Sequence, residues 1–188
     1  MNDVYFVING TKLYLDFMLE DINDMPFFYV CKDSTNAKYL VLCTDFDNEE
    51  YIIVRITLHD LKDMLYGKMD IRNAFLEKTC WNVKCMGHTY EDDVVTKFVD
   101  VPIEYLPEKG ARYALLDEEH VEYAEKIEDE YETMLQNINM ESYQGAVSEE
   151  GTENSSALRS ISMDEEYICD YIDIKEYQLI KAIAIMAA

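Results

Sequence analysis

The stretch that decides the fold spans residues 27–57 and reads FFYVCKDSTNAKYLVLCTDFDNEEYIIVRIT. It contains three runs of β-branched and aromatic residues, at positions 27–31, 39–44 and 51–57. Short polar segments rich in turn-forming residues separate these runs. Because short polar connections join antiparallel neighbours, the sequence predicts a three-stranded meander here.

Two further strands are predicted before this meander. Val4–Ile8 is a short apolar run, and Asn9-Gly10 follows it. Asn-Gly favours a tight hairpin because both residues tolerate positive φ, so residues 12–17 are predicted as the return strand. Residues 21–26 are predicted as a polar loop that ends in a proline.

Short helices and two more strands are predicted after the meander. Thr57 is a candidate N-cap for a helix over residues 58–66, since Asp60 stands at its third position. Asp70 is a candidate cap for a second short helix. Two more strands are predicted, over residues 81–86 and 94–101. The predicted fold class is α+β, an antiparallel meander with short helices.

A long acidic helix is predicted from Asp117 onward, because this residue suits an N-cap and Glu118 and Glu119 suit the positive helix start. Apolar residues recur at helical spacing, at Val121, Ala124, Ile127, Tyr131, Met134, Leu135 and Ile138. Nine acids lie between Asp117 and Glu132, against one base, Lys126. The face opposite the apolar stripe is therefore predicted to be strongly anionic.

Four segments follow from this pattern. Residues 1–112 form the antiparallel α+β core, and residues 113–138 contain the long acidic amphipathic helix. Residues 139–163 are predicted as a flexible acidic linker because they lose periodicity and are rich in serine and glutamate. Residues 164–188 are a C-terminal docking segment, whose final helix is apolar enough to require the body of the protein or a partner as cover.

The charge balance restricts the partners. The chain has 188 residues, and 39 acids against 16 bases give a formal net charge of -23. Such a field repels a nucleic-acid duplex and an anionic membrane. The sequence therefore predicts no direct nucleic acid and no membrane as partners, and favours a protein with a basic surface.

The cysteines and the N-terminus favour a cytoplasmic protein. The five cysteines have no disulfide framework spacing and are expected to be free thiols. The first ten residues lack the basic region of a signal peptide, and the apolar stretch at residues 182–188 is too short to span a bilayer.

Candidate metal and catalytic residues form only weak patterns. Cys80, Cys85 and His88 have zinc-ligating chemistry, but four residues separate the cysteines and their odd offset in a strand points them to opposite faces. Asp45 to Glu50 has the acids of a calcium loop without its glycine, which favours a solvated hairpin turn. His88 with the acids at 91–93 is the candidate centre of a metal-assisted hydrolase. No cofactor, no metal and no catalytic residue is predicted.

The acidic helix face has two interpretations. A run of charge is usually a solvated surface. Alternatively, carboxylates one helical turn apart imitate a phosphate array and bind a basic groove meant for nucleic acid. The partner-binding residues under this second hypothesis are Glu118, Glu122, Glu125, Asp129 and Glu132. The 15 tyrosines similarly fit either half-buried strands or a partner surface.

Residues 12–77 resemble a family of small proteins of unknown function from Gram-positive bacteria and their phages. The resemblance lies in four stretches, YLD at 14–16, PFFYVCKD at 26–33, YLVL at 39–42 and GKMDIRNAF at 67–75. It covers about a third of the chain and contains no catalytic motif. The resemblance implies no activity and no site residues, and its phage association implies a host-interaction or anti-defence role.

Three functions are compatible with these observations. The favoured hypothesis is a non-enzymatic interaction protein, for instance a phage-borne, anti-CRISPR-like inhibitor that binds the basic surface of a nucleic-acid-binding effector by acidic mimicry. The second is the small metal-assisted hydrolase centred on His88. The third is a homo-oligomeric bacterial module, and a homodimer is also compatible with the first.

Overall fold

The computed structural model describes residues 4–23, 25–87, 90–98 and 101–147. Its strands are β1 Val4–Ile8, β2 Thr11–Ile22, β3 Met25–Lys32, β4 Lys38–Asp45, β5 Glu50–Ile56, β6 Cys80–Lys84 and β7 Val94–Phe98. Its helices are α1 Leu58–Leu65, α2 Ile71–Phe75 and α3 Glu118–Val147, with a 3-10 turn at Ile103–Tyr105. None of these helices is long and apolar enough to cross a membrane.

The described strands form one antiparallel sheet in which every strand pairs with the next along the chain, in the order β1 to β7. Val30 lies opposite Leu40, and Leu40 lies opposite Val54, so β3, β4 and β5 are consecutive neighbours. The helix α1 begins two residues after β5. The predicted meander is confirmed, and the described part of the chain combines an antiparallel sheet with helices.

One face of the sheet is covered by helices. Leu61, Met64 and Leu65 of α1 are buried against strand residues such as Leu40 and Val54. The α2 helix and the first turns of α3 complete this cover, through Ala74, Phe75, Tyr123, Ala124 and Ile127. Burial of each large apolar side chain contributes about 1.5–3 kcal/mol, so this face supplies much of the stability.

The sheet curls over its other face, so that side chains of β1 contact side chains of β5. The ring centroids of Phe6 on β1 and Tyr51 on β5 are 5.4 Å apart, although three strands separate them in the sheet order. Irregular register in β2 allows this curling, because bulges increase local twist and bend. Tyr29 and Tyr39 are buried on this face, as expected for rings on half-buried strands.

Side-chain caps set the starts of the two short helices, as predicted. The Thr57 hydroxyl accepts a hydrogen bond from the Asp60 backbone N–H at 3.0 Å. The Asp70 carboxylate accepts one from the Asn73 backbone N–H at 2.8 Å. Each bond satisfies a backbone donor that the first helical turn leaves without an intrahelical acceptor.

The structure differs from the sequence-based prediction at the β2–β3 hairpin. The predicted loop over residues 21–26 is a tight turn, since Asp21 pairs with Pro26 and Ile22 with Met25. Asn23 adopts a φ of 54°, which this residue type tolerates and which closes the turn. Pro26 is accommodated because the paired register of β3 with β4 begins only at Phe28.

The structure also differs in the boundaries of the C-terminal part. The α3 helix continues through Val147, so residues 139–147 are helical although a linker was predicted there. These residues contain no proline, and they include the good helix formers Met140, Glu141, Gln144 and Ala146. The predicted linker after residue 147, the docking segment at 164–188, Cys169 and His88 lie outside the described residues.

The chain forms two compact units, Met1–Ile127 and Glu128–Ala188. The division predicted from sequence, with its first boundary after residue 112, stays a prediction. Tyr113, Tyr123 and Ile127 are buried in the helix-covered core, which joins the start of α3 to the first unit. In the second unit, the described residues are the continuation of α3.

Candidate interaction surface

The α3 helix begins at a side-chain cap. The Asp117 carboxylate accepts a hydrogen bond from the His120 backbone N–H at 3.1 Å, and it lies 2.5 Å from Nδ1 of the same histidine. These hydrogen bonds lower the pKa of the Asp117 carboxyl. Glu118 and Glu119 occupy the first turn, where acids interact favourably with the helix dipole.

A β-bulge in β2 prepares the surface on which the first turns of α3 pack. Leu15 pairs with Cys31 and Phe17 pairs with Val30, so Asp16 is an extra residue in β2. The bulge turns both Asp16 and Phe17 toward the helix-covered face. Without the extra residue, alternation along the strand would place these two side chains on opposite faces.

The Asp16 carboxylate lies at the centre of a cluster of four donors from three elements, β3, β4 and α3. Its Oδ1 accepts hydrogen bonds from Nζ of Lys32 at 2.7 Å and of Lys126 at 3.3 Å. Its Oδ2 accepts from Nζ of Lys38 at 2.8 Å and from the Tyr123 hydroxyl at 3.0 Å. Strands β2, β3 and β4 are thereby tied to α3 through one carboxylate.

Burial makes this cluster energetically important. The side chains of Asp16 and Lys38 are each 1% exposed. Burial opposes ionisation of Asp16, but the hydrogen bonds from Lys32 and Lys38 and the charges of Lys38 and Lys126 outweigh it and hold the pKa of the carboxyl far below its ordinary value. Removing one member of such a pair leaves the other charge buried and costs about 3–5 kcal/mol.

Aromatic contacts complete the attachment of α3. The rings of Phe17 and Tyr123 stack with centroids 4.2 Å apart and an interplanar angle of 7°. The His120 ring packs edge-on against Phe17 at 5.2 Å, and its Nε2 lies 3.3 Å from the Leu19 carbonyl oxygen. The first turns of α3 are therefore fixed by polar and aromatic contacts as well as by burial.

The inner side of α3 departs from the predicted apolar stripe in its first turns, and Met134, Leu135 and Ile138 farther along are only partly buried. Val121 is 39% exposed, whereas Tyr123 is buried. The reason is the Phe17 ring, which stacks on Tyr123, together with Asp16, which accepts its hydroxyl. Ala124 and Ile127 are buried as the stripe predicts.

The outer side of α3 carries the five acids that the sequence analysis selected. Glu118, Glu122, Glu125, Asp129 and Glu132 are all exposed. A helix turns about 100° per residue, so these five positions lie on the side opposite Ala124 and Ile127. We call Glu118, Glu122, Glu125, Asp129 and Glu132 the acidic row.

The candidate zinc and calcium ligands lie in other parts of the fold. Cys80 lies in the helix-covered core and Cys85 packs on the opposite face, as their odd offset predicts. Asp45 and Glu50 pair at the β4–β5 hairpin, where Asp45 accepts a hydrogen bond from the Asn48 backbone N–H at 3.1 Å. Among the described residues, which exclude His88, no group of three or more histidine, cysteine, aspartate or glutamate side chains is placed to hold a metal ion.

Sequence reasoning missed the Asp16 cluster. The available signal was an aspartate within the apolar strand pattern of β2, between Leu15 and Phe17. A charge in such a position needs partners. The lysines that supply them come from distant positions, so the sequence gives no indication of which ones converge.

Comparison with protein-family models, with curated proteins and with solved structures finds no match to this chain. The resemblance over residues 12–77 therefore stays a prediction.

Proposed function

We propose that this protein is a non-enzymatic binding protein whose acidic row docks on the basic surface of a nucleic-acid-binding partner. The observation that supports the proposal is the exposure of five acids on one side of α3. A partner that offers lysine and arginine side chains would bind such a row with strong electrostatic steering.

The dimensions of the acidic row fit mimicry of a nucleic-acid strand. From Glu118 to Glu132 the helix rises about 21 Å at 1.5 Å per residue, which places one carboxylate about every 5 Å along the axis. A single strand of B-DNA carries one phosphate per about 3.4 Å. The charge density of the row is therefore roughly two thirds of that of a DNA strand, before the other acids of α3 are counted.

The attachment of α3 supports the same proposal. Its first turns are held by the Asp16 cluster and by the stacked rings of Phe17 and Tyr123. A helix that is fixed before binding loses little conformational entropy when a partner engages it. Rigid presentation of like charges also prevents the acids from avoiding one another, which leaves their repulsion available for relief by a basic partner.

The partner class that we favour is a bacterial defence nuclease, which would make the protein a phage-borne, anti-CRISPR-like inhibitor acting in the cytoplasm of the host cell. Such an effector holds nucleic acid in a basic channel, and the acidic row would occupy that channel in its place. The phage association of the resembling family favours this class over other nucleic-acid-binding proteins.

Displacement of nucleic acid tests this proposal. The full-length protein is titrated into purified CRISPR effector complexes bound to fluorescently labelled target DNA, and anisotropy reports release of the DNA. We expect stoichiometric release that weakens as salt rises, since both the effector and the row bind through charge. Release by a variant with all five acids of the row changed to amides would contradict the proposed surface.

A further inference from the structure

The sheet ends in two edge strands of different character. The β1 edge is irregular, with a register shift between Val4 and Phe6, and it buries Phe6 and Ile8. The β7 edge is regular, since it pairs with β6 in unbroken register from Val94 to Phe98. Apart from the ladder with β6, no backbone hydrogen bond joins β7 to another part of the described chain. A regular edge of this kind is a template for pairing with a further strand.

The side chains of β7 favour another strand as the neighbour. Val94 is 51% exposed, and Thr96 and Lys97 are exposed as well. Valine and threonine stabilise sheets through contacts with residues directly across the strand pair. By alternation, Val94 and Thr96 share one face, while Asp93, Val95 and Lys97 share the other.

We propose that β7 pairs with β7 of a second copy of this chain, antiparallel and centred on Val95. In this register, Asp93 of each copy lies opposite Lys97 of the other, and Val94 lies opposite Thr96. Because the pairing has two-fold symmetry, each of these contacts occurs twice in one interface. The sheets of the two copies join into one continuous sheet.

The surroundings of Asp93 support a second copy as the occupant of this edge. Partial burial raises the pKa of the Asp93 carboxyl, and the nearby charges of Asp92 and Glu49 act in the same direction, although hydrogen bonds from the Met86 backbone and the Cys85 thiol lower it in part. A lysine from a second copy would offset this repulsion. Lys97 of the same copy cannot, because four residues along a strand span about 13 Å.

A charge exchange tests the register. The self-association constant of the full-length protein is measured by sedimentation equilibrium at physiological salt, for Lys97→Glu, for Asp93→Lys and for the double variant that carries both. Each single change places like charges opposite one another twice, so we expect dimerisation to weaken roughly tenfold or more. The double variant restores both opposite-charge contacts and should return to within about threefold of the parent. Lys109→Glu and Glu108→Lys, at exposed positions outside β7, are the matched controls and should leave dimerisation unchanged.

Three results would overturn this inference. One is a parent protein that stays monomeric up to about 100 μM, where even a weak interface is populated. The second is a dimer that both single variants form as tightly as the parent. The third is slowed amide exchange in residues 94–98 only when an extended peptide is added, which would assign the edge to a different partner. Circular dichroism confirms that each variant is folded. None of these readouts uses the acidic row, so the inference and the proposed function can fail separately.

Discussion

The inner and outer sides of α3 differ in how their charged groups are placed. On the inner side, Lys126 and the Tyr123 hydroxyl reach one buried carboxylate, Asp16, at 3.3 and 3.0 Å. On the outer side, Glu118, Glu122 and the rest of the acidic row are exposed to solvent. The inner charges are placed to stabilise the fold, whereas like charges one turn apart on the outer side oppose it.

The contacts that stabilise the fold and the surface proposed to bind a partner therefore lie on separate sides of the same helix. Apart from Glu118 at the helix start, the acidic row lies away from the core and the Asp16 cluster, which hold the first turns of α3. We therefore expect the row to tolerate substitution, whereas changes in the inner cluster should destabilise the fold.

Asp16→Asn should have the largest effect. The amide loses the negative charge that Lys38 requires, while Lys38 stays buried, so we expect the free energy of unfolding to fall by about 3–5 kcal/mol. Urea denaturation at pH 7 measures this change, with Asp47→Asn on the exposed β4–β5 turn as the control. Equal stability of the two variants would show that the inner cluster is not what fixes α3.

Acidification should remove the same contribution in the parent protein. The pKa of Asp16 is lower in the folded state than in the unfolded chain, so its contribution is complete above the unfolded value and declines as the pH falls toward the folded one. We expect the free energy of unfolding to decline from about pH 5 downward. Asp16→Asn should show a shallower decline over the same range, and parallel pH curves would contradict this assignment.

Tyr123→Phe should have an intermediate effect. Phenylalanine keeps the stacking on Phe17 but loses the hydroxyl that donates to Asp16. A hydrogen bond to a charged group contributes about 1.5–3 kcal/mol, and thermal denaturation should show a loss of that size. The control is Tyr105→Phe, at a ring that is 45% exposed, which should change stability by less than about 0.5 kcal/mol.

Neutralising the acidic row should have the smallest effect and the opposite sign. Changing its four glutamates to glutamine and Asp129 to asparagine removes repulsion of a few tenths of a kcal/mol per pair. We expect unchanged or slightly raised stability in urea denaturation, with the gain largest at low ionic strength. A loss of several kcal/mol would mean that the outer side also holds the fold.

The elements of the fold could be predicted from sequence where local patterns decide them. The strand runs around Leu40 and Val54 and the caps at Thr57 and Asp70 depend on residues close in the chain, and the structure confirms them. The bulge at Asp16 could not be predicted, because it is defined by pairing with β3. The curling of the sheet likewise depends on contacts between distant strands.

In the candidate site, too, only the features set by local sequence patterns could be predicted. The exposure of the acidic row could be predicted, since a helix with one apolar stripe leaves the opposite side in solvent. The exchange of Val121 for Tyr123 on the inner side could not, because it depends on where Phe17 lies. Under the proposed function, no local pattern of the chain predicts the identity of the partner.

The most direct test of the acidic row is the affinity of two five-residue variants for the same effector. One variant neutralises the row, and the other neutralises the exposed acids Glu20, Asp47, Glu91, Glu104 and Glu108, so that both have the same net charge. Isothermal titration calorimetry at physiological salt compares them with the parent. We expect the row variant to bind at least about 100-fold more weakly, equivalent to about 2.7 kcal/mol, and the other to stay within about threefold. Equal affinities of the two variants would contradict the account, because binding would then depend on net charge and not on the row.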